Sequence, residues 1–227
     1  MLGYYDYTVV LTYISLICGV IGIACAKLNH PLTAIILLLI CGFCDAFDGK
    51  VARSKKNRTQ EEQSFGIQID SLCDLVSFGV LPATICMEIW GENLSHSRYS
   101  WVLVTAVCAF YVLAGVIRLG FFNVTEQTRQ AQTPKPRTLY QGLPITSACL
   151  IFPTAYILRF FLSESLFPIL FTALMFLTGI CFIAPFHMKK PTGKVIFGMV
   201  LVGLLVAAIL VAVFLVHAEA HIQAQAS

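Results

Sequence analysis

Four aspartates occur at helical spacing inside stretches that are otherwise apolar. Asp45 and Asp48 are three residues apart, and Asp70 and Asp74 are four residues apart, so each pair lies on one face of a helix. Ionisable side chains at or near membrane depth are costly and require a functional explanation. Four converging carboxylates repel one another unless cations lie between them. The pattern therefore predicts a site for divalent metal ions.

Small residues and one arginine accompany these carboxylates. Gly49 and Ala52 share the helical stripe of the first aspartate pair, and Gly66 begins the i, i+4, i+8 series of the second pair. Small residues let another helix or a planar ligand approach the backbone, and Arg53 can bind phosphate bidentately. Hard carboxylate oxygens favour magnesium, manganese or calcium, which commonly hold phosphate oxygens. We therefore expect a substrate with a pyrophosphate head and a lipid tail.

The elements that position these residues are membrane-spanning helices. The 227-residue chain is 58% hydrophobic and 12% charged, with a mean hydropathy of +0.81, which predicts an integral membrane protein. The net charge of +3 is no sign of nucleic-acid binding, because the basic residues fall in short loops between helices. Met1–Asp6 lacks the positive region of a signal peptide, so we expect the first helix to direct insertion.

Continuous apolar runs predict an all-α, polytopic transmembrane bundle in a single domain covering 1–227. We expect a six-helix core over about 8–186 and an extra C-terminal helix over about 195–216. The seven predicted segments are Thr8–Ala26, Leu32–Arg53, Phe65–Ile89, Tyr99–Phe122, Gly142–Leu162, Phe167–Phe186 and Val195–Val216. The polar stretch Ser54–Ser64 is predicted to be a loop.

The distribution of basic residues predicts the orientation. With a cytoplasmic N-terminus, twelve of the fifteen Lys and Arg residues lie on the cytoplasmic side, and only Lys27, Arg98 and Arg159 lie on the other. Both aspartate pairs then lie just below the cytoplasmic interface. Cys41 and Cys44 have the spacing of a redox or zinc pair, but they lie within an apolar helix without a second pair, so packing is the favoured role.

The aspartate motif resembles the signature of the CDP-alcohol phosphotransferases. The match is Asp45-x2-Asp48-Gly49-x2-Ala52-Arg53, then twelve residues, then Gly66-x3-Asp70-x3-Asp74. The resemblance implies two divalent cations, Mg²⁺ or Mn²⁺, held by Asp45, Asp48 and Asp70. It further implies that Asp74 is the general base, with possible metal contact. The interval before Gly66 is longer than in many members, and a longer loop absorbs such a difference at little cost.

The same resemblance implies a binding site for the CDP-diacylglycerol head group. Its residues are Asp48, Gly49, Ala52, Arg53, Gly66 and Asp70. It also implies a homodimer that associates through membrane helices. We expect a multi-pass protein in the plasma membrane of a prokaryote, in contact with membrane lipids and with the active site facing the cytoplasm.

Three flanking stretches are similar to the phosphatidylserine synthase branch of this family. They are Asp70-Ser-Leu-Cys-Asp74-Leu-Val-Ser77-Phe-Gly79-Val-Leu-Pro82, Arg118-Leu-Gly-Phe-Phe-Asn123-Val and Tyr140-Gln-Gly142-Leu-Pro144. The branch implies transfer of a phosphatidyl group from CDP-diacylglycerol to L-serine. Arg118 is then the candidate for the serine carboxylate, with Asn123 and Ser77 in support.

Several alternatives remain open at this point. Arg118 also satisfies the positive-inside rule, Ser77 could be a helix-packing serine, and Asn123 could cap a helix. Within the enzyme class, the acceptor could be glycerol phosphate, an inositol phosphate or an amino alcohol. A cation transporter is a different class, but its acids would lie near the bilayer midplane in discontinuous helices.

Overall fold

A computed structural model describes residues 3, 7–55, 59–91, 98–132, 139–189 and 193–226. Over these residues the chain is a helical bundle, as predicted. Its α-helices are α1 Val10–Lys27, α2 Pro31–Ser54, α3 Gln60–Asp74, α4 Leu81–Gly91, α5 Arg98–Gln132, α6 Ala148–Tyr156, α7 Leu166–Ile183 and α8 Gly193–Ala226. Six helical stretches in this part of the chain are long and apolar enough to cross a membrane.

The third predicted segment is one continuous helix whose pitch changes within it. A π-helical segment, Leu75–Val80, joins α3 to α4 and begins directly after Asp74. Leu81 N–H donates to the carbonyl oxygen of Val76, five residues earlier, which is the π pattern. The 3.6-residue apolar period of the sequence did not indicate this segment.

The prediction of a loop over Ser54–Ser64 was wrong at its C-terminal end. Helix α3 begins at Gln60, because Thr59 and Glu62 form a capping box. Thr59 Oγ1 accepts from Glu62 N–H at 3.1 Å, and Glu62 Oε2 accepts from Thr59 N–H at 3.0 Å. This Thr-x-x-Glu signature satisfies two free backbone donors. Asp70 and Asp74 therefore lie in the last turns of α3 and not in its opening turns.

Two other predicted boundaries were also wrong. Helix α5 continues past Phe122 to Gln132, because its polar end is stabilised within the helix by the Arg129–Glu126 ion pair at 2.5 Å. Asn123 is thus inside the helix and does not cap it. The fifth segment is shorter than predicted, since α6 with its flanking 3₁₀ turns covers only Ile145–Phe160.

A small β-ladder adds to the otherwise helical fold. Strand β1, Leu139–Gln141, pairs antiparallel with β2, His187–Lys189. The ladder ties the α5–α6 connection to the α7–α8 connection. Immediately after β1, Gly142 N–H donates to Phe186 O at 2.8 Å and Leu143 N–H donates to Cys181 O at 3.0 Å.

The core of the bundle lies where α1, α2, α4, α5, α6 and α7 meet. Helix α1 packs along α2, α5 packs along α7, and α6 contacts α2. Tyr111, Phe152 and Phe171 are fully or nearly fully buried in this core, with the rings of Tyr111 and Phe152 edge to face at 5.6 Å between centroids. Helix α8 packs against α2 and α6 and adds Val206 and Leu210 to the core.

Candidate active site

Three of the four predicted carboxylates converge in the structure. Asp45 of α2 and Asp70 and Asp74 of α3 each offer one carboxylate oxygen, and these oxygens lie within 4.8 Å of one another. Asp74 is 9% exposed, and the other two are half-buried. The helical spacing of Asp70 and Asp74 puts both on the face of α3 that looks toward α2.

Asp48 lies next to this cluster and is not one of its three members. Its carboxyl is within hydrogen-bonding reach of the carboxyl of Asp70. Its Oδ2 also accepts from Thr12 Oγ1 of α1 at 3.4 Å. The structure therefore places Asp48 beside Asp70 and on the α1 side of the site.

The donor set of this cluster fits a divalent cation. Over the residues that the structure describes, the ion pairs are Lys27–Glu88, Lys55–Glu62 and Arg129–Glu126, so no basic side chain in that part neutralises the aspartates in an ion pair. Clustered carboxylates of this kind repel one another at close range. Oxygen-only donors suit hard cations such as Mg²⁺ and Mn²⁺.

A cavity of about 630 Å³ contains the carboxylate cluster. At one end it is lined by Asp45, Asp70, Asp74 and Arg118. The rest of its wall is mainly apolar and comes from α2, α5, the stretch 144–146, α6 and α8. A single space thus offers charged groups at one end and hydrocarbon contacts along its length.

Arg118 of α5 reaches this cavity while its side chain is largely buried. It is 7% exposed, its Nε donates to Leu143 O at 3.1 Å, and its guanidinium lies 5.6 Å from the centre of the Phe122 ring. The backbone of Leu143 is itself bonded to Cys181 O. The connection after β1 therefore holds the guanidinium at the polar end of the cavity.

Among the other motif residues, Gly49 lines the cavity. Gly66 is half-buried one turn before Asp70 and is not part of the described cavity lining. Ala52 and Arg53 belong to the last turns of α2, but their side chains lie outside the described part of the structure. The arginine–phosphate contact therefore stays a prediction.

A sequence profile described as CDP-alcohol phosphatidyltransferase matches residues 8–220. The chain belongs to this family. The match covers both the predicted core and most of α8, and it confirms the resemblance drawn from the aspartate motif.

Curated relatives of the chain carry one common name, CDP-diacylglycerol–serine O-phosphatidyltransferase. The relative from Saccharomyces cerevisiae is 37% identical over 128 residues, which are 53% of this chain and 41% of the relative. The relative from Helicobacter pylori strain 26695 is 30% identical over 147 residues, 65% of this chain and 55% of the relative. The relative from Mycobacterium leprae is 33% identical over 136 residues, 59% and 41% respectively. The chain thus spans about half the length of these relatives.

In the structure, the side chain of Asn123 makes hydrogen bonds to two residues of α3. Ser71 Oγ donates to Asn123 Oδ1 at 2.9 Å, and Asn123 Nδ2 contacts Gln68 Oε1 at 3.5 Å. Gln68 and Ser71 flank Asp70 in the sequence. Asn123 therefore ties α5 to the helix that carries two of the clustered carboxylates.

Ser77 has partners on α1. Its hydroxyl donates to Ser15 O at 3.3 Å and lies 3.4 Å from Ser15 Oγ, and the residue is fully buried. A Cβ atom at Gly19 would lie 2.9 Å from the Ser77 hydroxyl oxygen. These contacts are typical of close helix packing, and Ser77 is not part of the described cavity lining.

Two features in and around the candidate site were not predicted from the sequence. Tyr111 donates to Phe78 O inside the π segment at 2.6 Å, and α8 supplies Gly203, Leu204 and Ala207 to the cavity wall. The sequence offered one signal for the Tyr111 contact. Pro82 has no N–H and cannot donate to the carbonyl of Phe78, four residues earlier, so this carbonyl needs another donor. Helix α8 is apolar on all sides, so its sequence carried no signal for the packed face.

Proposed function

We propose that this chain transfers the phosphatidyl group of CDP-diacylglycerol to the hydroxyl of L-serine, giving phosphatidylserine and CMP. One observation carries the proposal. A single cavity contains the three-carboxylate cluster and Arg118 at one end, and its apolar part lies between α2, α6 and α8. We call this apolar part of the cavity its apolar limb. A donor with a charged head and acyl tails matches both parts of this space. The names of the relatives support serine as the acceptor.

In this proposal Asp45, Asp48, Asp70 and Asp74 hold two divalent cations, Mg²⁺ or Mn²⁺. Asp45, Asp70 and Asp74 already bring their oxygens together, and Asp48 adjoins Asp70. When bound, such cations neutralise pyrophosphate oxygens and stabilise the charge that develops during phosphoryl transfer.

The nucleotide end of the donor lies along the glycine-containing face of α2 and the facing part of α3. Asp70 belongs to the carboxylate cluster, Gly49 lines the same cavity, and Asp48 adjoins Asp70. Ala52, Arg53 and Gly66 complete the motif that holds the cytidine and the pyrophosphate in this proposal. The guanidinium of Arg53 is suited to a bidentate phosphate contact.

Asp74 is the proposed general base. It accepts the proton of the serine hydroxyl as that oxygen forms a bond to the phosphorus bearing the diacylglycerol. The bond from this phosphorus to the oxygen of the CMP phosphate breaks, and CMP leaves with the electron pair. Asp74 is largely buried and lines the charged end of the cavity.

Arg118 is the proposed partner of the serine carboxylate, because it brings a guanidinium to the polar end of the cavity. A carboxylate and a guanidinium form charge-assisted, paired hydrogen bonds. Asn123 and Ser77 support this site through their helix contacts, Asn123 on α3 and Ser77 on α1.

The proposed setting is the plasma membrane of a prokaryote, with the carboxylate cluster at the cytoplasmic face and the chain working as a homodimer. The excess of basic residues around the predicted cytoplasmic loops supports this orientation. The open end of the cavity then meets both soluble serine and the lipid donor.

The purified protein tests the proposal directly. CDP-diacylglycerol with Mn²⁺ or Mg²⁺ is offered serine, glycerol phosphate, inositol phosphate or ethanolamine in parallel, and CMP release and the lipid product are measured. We expect CMP and phosphatidylserine only when serine is the acceptor. We expect no CMP release when EDTA removes the metal ions. Turnover with a different acceptor would retain the chemistry and reject serine, and no CMP release with any acceptor would reject the proposed activity.

A further inference from the structure

The apolar limb of the cavity has one wall that comes from α8, outside the predicted six-helix core. Gly203 and Ala207 line the cavity from α8, and Gly203 lies beside Leu39 of α2 and Leu150 of α6. Helix α8 contacts α2 and α6 in the structure. Helix α8 therefore supplies one side of the limb.

The limb also opens to the side of the bundle. Phe43, Met199 and Leu204 line the cavity and are 50%, 39% and 58% exposed. These apolar side chains belong to spans that face lipid in a membrane. A flexible hydrocarbon chain could therefore pass between the limb and the bilayer without crossing a polar surface.

Gly203 leaves the limb at its present width. A Cβ atom added there would lie 3.4 Å from Leu150 Cδ2 and 3.9 Å from Leu39 Cδ2, which are ordinary van der Waals distances. A methyl group thus fits in contact with both leucines, whereas a leucine at position 203 would overlap their side chains and force them, or itself, into the cavity that all three residues line. Leu39 is six residues from Asp45, roughly 9 Å along α2 at 1.5 Å per residue.

We propose that Gly203 of α8 sets the width of the limb that receives an acyl chain of the donor, so that this residue determines which CDP-diacylglycerols are accepted. The inference rests on the proposed function for the identity of the donor. It commits to an acyl chain as occupant because the limb is continuous with the carboxylate end of the same cavity and opens on the lipid-facing surface. Bulk at position 203 excludes the tail by steric overlap, and the charged end of the site is unaffected.

The test compares donors that differ only in their tails. Wild type, Gly203→Leu and Gly203→Ala are assayed with CDP-dioleoylglycerol and with CDP-dibutanoylglycerol, whose tails have four carbons in place of eighteen. We expect Gly203→Leu to lower kcat/KM for the dioleoyl donor by about tenfold or more and to leave the dibutanoyl donor within about twofold of wild type. Gly203→Ala should behave like wild type with both donors.

Gly198→Leu is the matched control. Gly198 lies in the same helix, and nothing in the described structure lies within 4 Å of a Cβ added there. This variant makes the same change in helix propensity and bulk outside the limb, so both donors should react at wild-type rates. Equal losses with both donors in Gly203→Leu, or no loss with either, would overturn the inference.

A binding measurement separates this inference from the proposed reaction. A CDP-diacylglycerol analogue with a diazirine in the middle of an acyl chain is irradiated with each variant, and the labelled peptides are identified. We expect labelling of α8 and α2 in wild type and Gly198→Leu, and loss of that labelling in Gly203→Leu. Labelling without any CMP release would reject the reaction and retain the acyl site, whereas labelling of α8 that Gly203→Leu leaves unchanged would reject the acyl site.

Discussion

The hydroxyl of Tyr111 donates a 2.6 Å hydrogen bond to the backbone carbonyl of Phe78, inside the π segment that follows Asp74. Pro82 has no N–H, so it cannot donate to this carbonyl, which lies four residues earlier. Tyr111 is fully buried, and no water is needed to satisfy the group. The bond thus links α5 to the π segment. The helical pitch of this segment sets how the face of α3 that carries Asp70 and Asp74 is rotated relative to α4.

Tyr111→Phe should therefore loosen the carboxylate site and destabilise the bundle. The change leaves the Phe78 carbonyl without its side-chain donor and retains the ring packing, and we expect a loss of about 1 kcal/mol of unfolding free energy. Thermal unfolding in detergent measures this loss, and a Mn²⁺ titration of activity should show a higher metal requirement. Tyr99→Phe removes a hydroxyl from a residue that is 87% exposed and should change neither quantity. Unaltered stability and metal dependence in Tyr111→Phe would contradict the role.

Asp45→Asn separates metal binding from folding. The amide keeps the shape of the side chain but removes one of three charges whose oxygens lie within 4.8 Å. In EDTA the variant should unfold at or above the wild-type temperature, because repulsion is relieved. Added Mn²⁺ should raise the unfolding temperature of wild type more than that of the variant, and CMP release should fall by about 100-fold or more.

Glu88→Gln is the control for this change, since Glu88 pairs with Lys27 and not with the aspartates. It should keep wild-type activity and the full Mn²⁺-induced stabilisation. If Asp45→Asn responded to Mn²⁺ as wild type does, Asp45 would not be a metal ligand.

The helical spacing in the sequence was enough to predict that Asp45, Asp70 and Asp74 would meet. Charged residues at i, i+3 and i+4 in apolar helices can face only each other or a cavity. Apolar length also predicted six of the seven spans in their order, whereas the fifth, Ile145–Phe160, is shorter than a full span in the described structure. The separate position of Asp48, beside Thr12 and Asp70, could not be predicted, because it depends on how α1 packs against α2.

Non-local pairing explains most of what the sequence did not indicate. Strands β1 and β2 have three residues each and meet through the pairing of Tyr140 with Met188, far apart in the chain. Neither is long enough to show a two-residue period. The place of Gly203 in a cavity wall likewise depends on the packing of α8, a helix without a polar face.

Gly142→Ala should disturb the ladder and, through it, Arg118. Gly142 has φ +69°, and a Cβ atom there would lie 2.7 Å from Phe182 O. The left-handed conformation and the close backbone approach each oppose a side chain, so we expect a loss of about 1–3 kcal/mol of stability. The KM for serine should rise with it, because Leu143, the next residue, holds the guanidinium.

Gly120→Ala is the matched control for Gly142→Ala. Gly120 is in α5, with nothing in the described structure within 4 Å of an added Cβ, and alanine favours a helix. Its stability should be equal to or slightly above that of wild type, and its KM for serine should not change. A Gly142→Ala protein with wild-type stability and serine KM would show that the ladder does not position Arg118.

Replacing Arg118 tests its proposed contact with the acceptor. Arg118→Lys keeps a positive charge but loses the paired donors of the guanidinium, and we expect the KM for serine to rise by about tenfold or more. The affinity for CDP-diacylglycerol should stay within about twofold, since in our proposal the aspartates and the apolar limb hold the donor. Ethanolamine, which has no carboxylate, supplies a sharper measurement: the ratio of kcat/KM for serine to kcat/KM for ethanolamine should fall in Arg118→Lys. A general loss of structure would lower both values together and leave the ratio unchanged.

Arg129→Lys, in the same helix and paired with Glu126, should leave both values at wild-type levels. A serine KM and an acceptor ratio equal to those of wild type in Arg118→Lys would exclude Arg118 as the carboxylate partner.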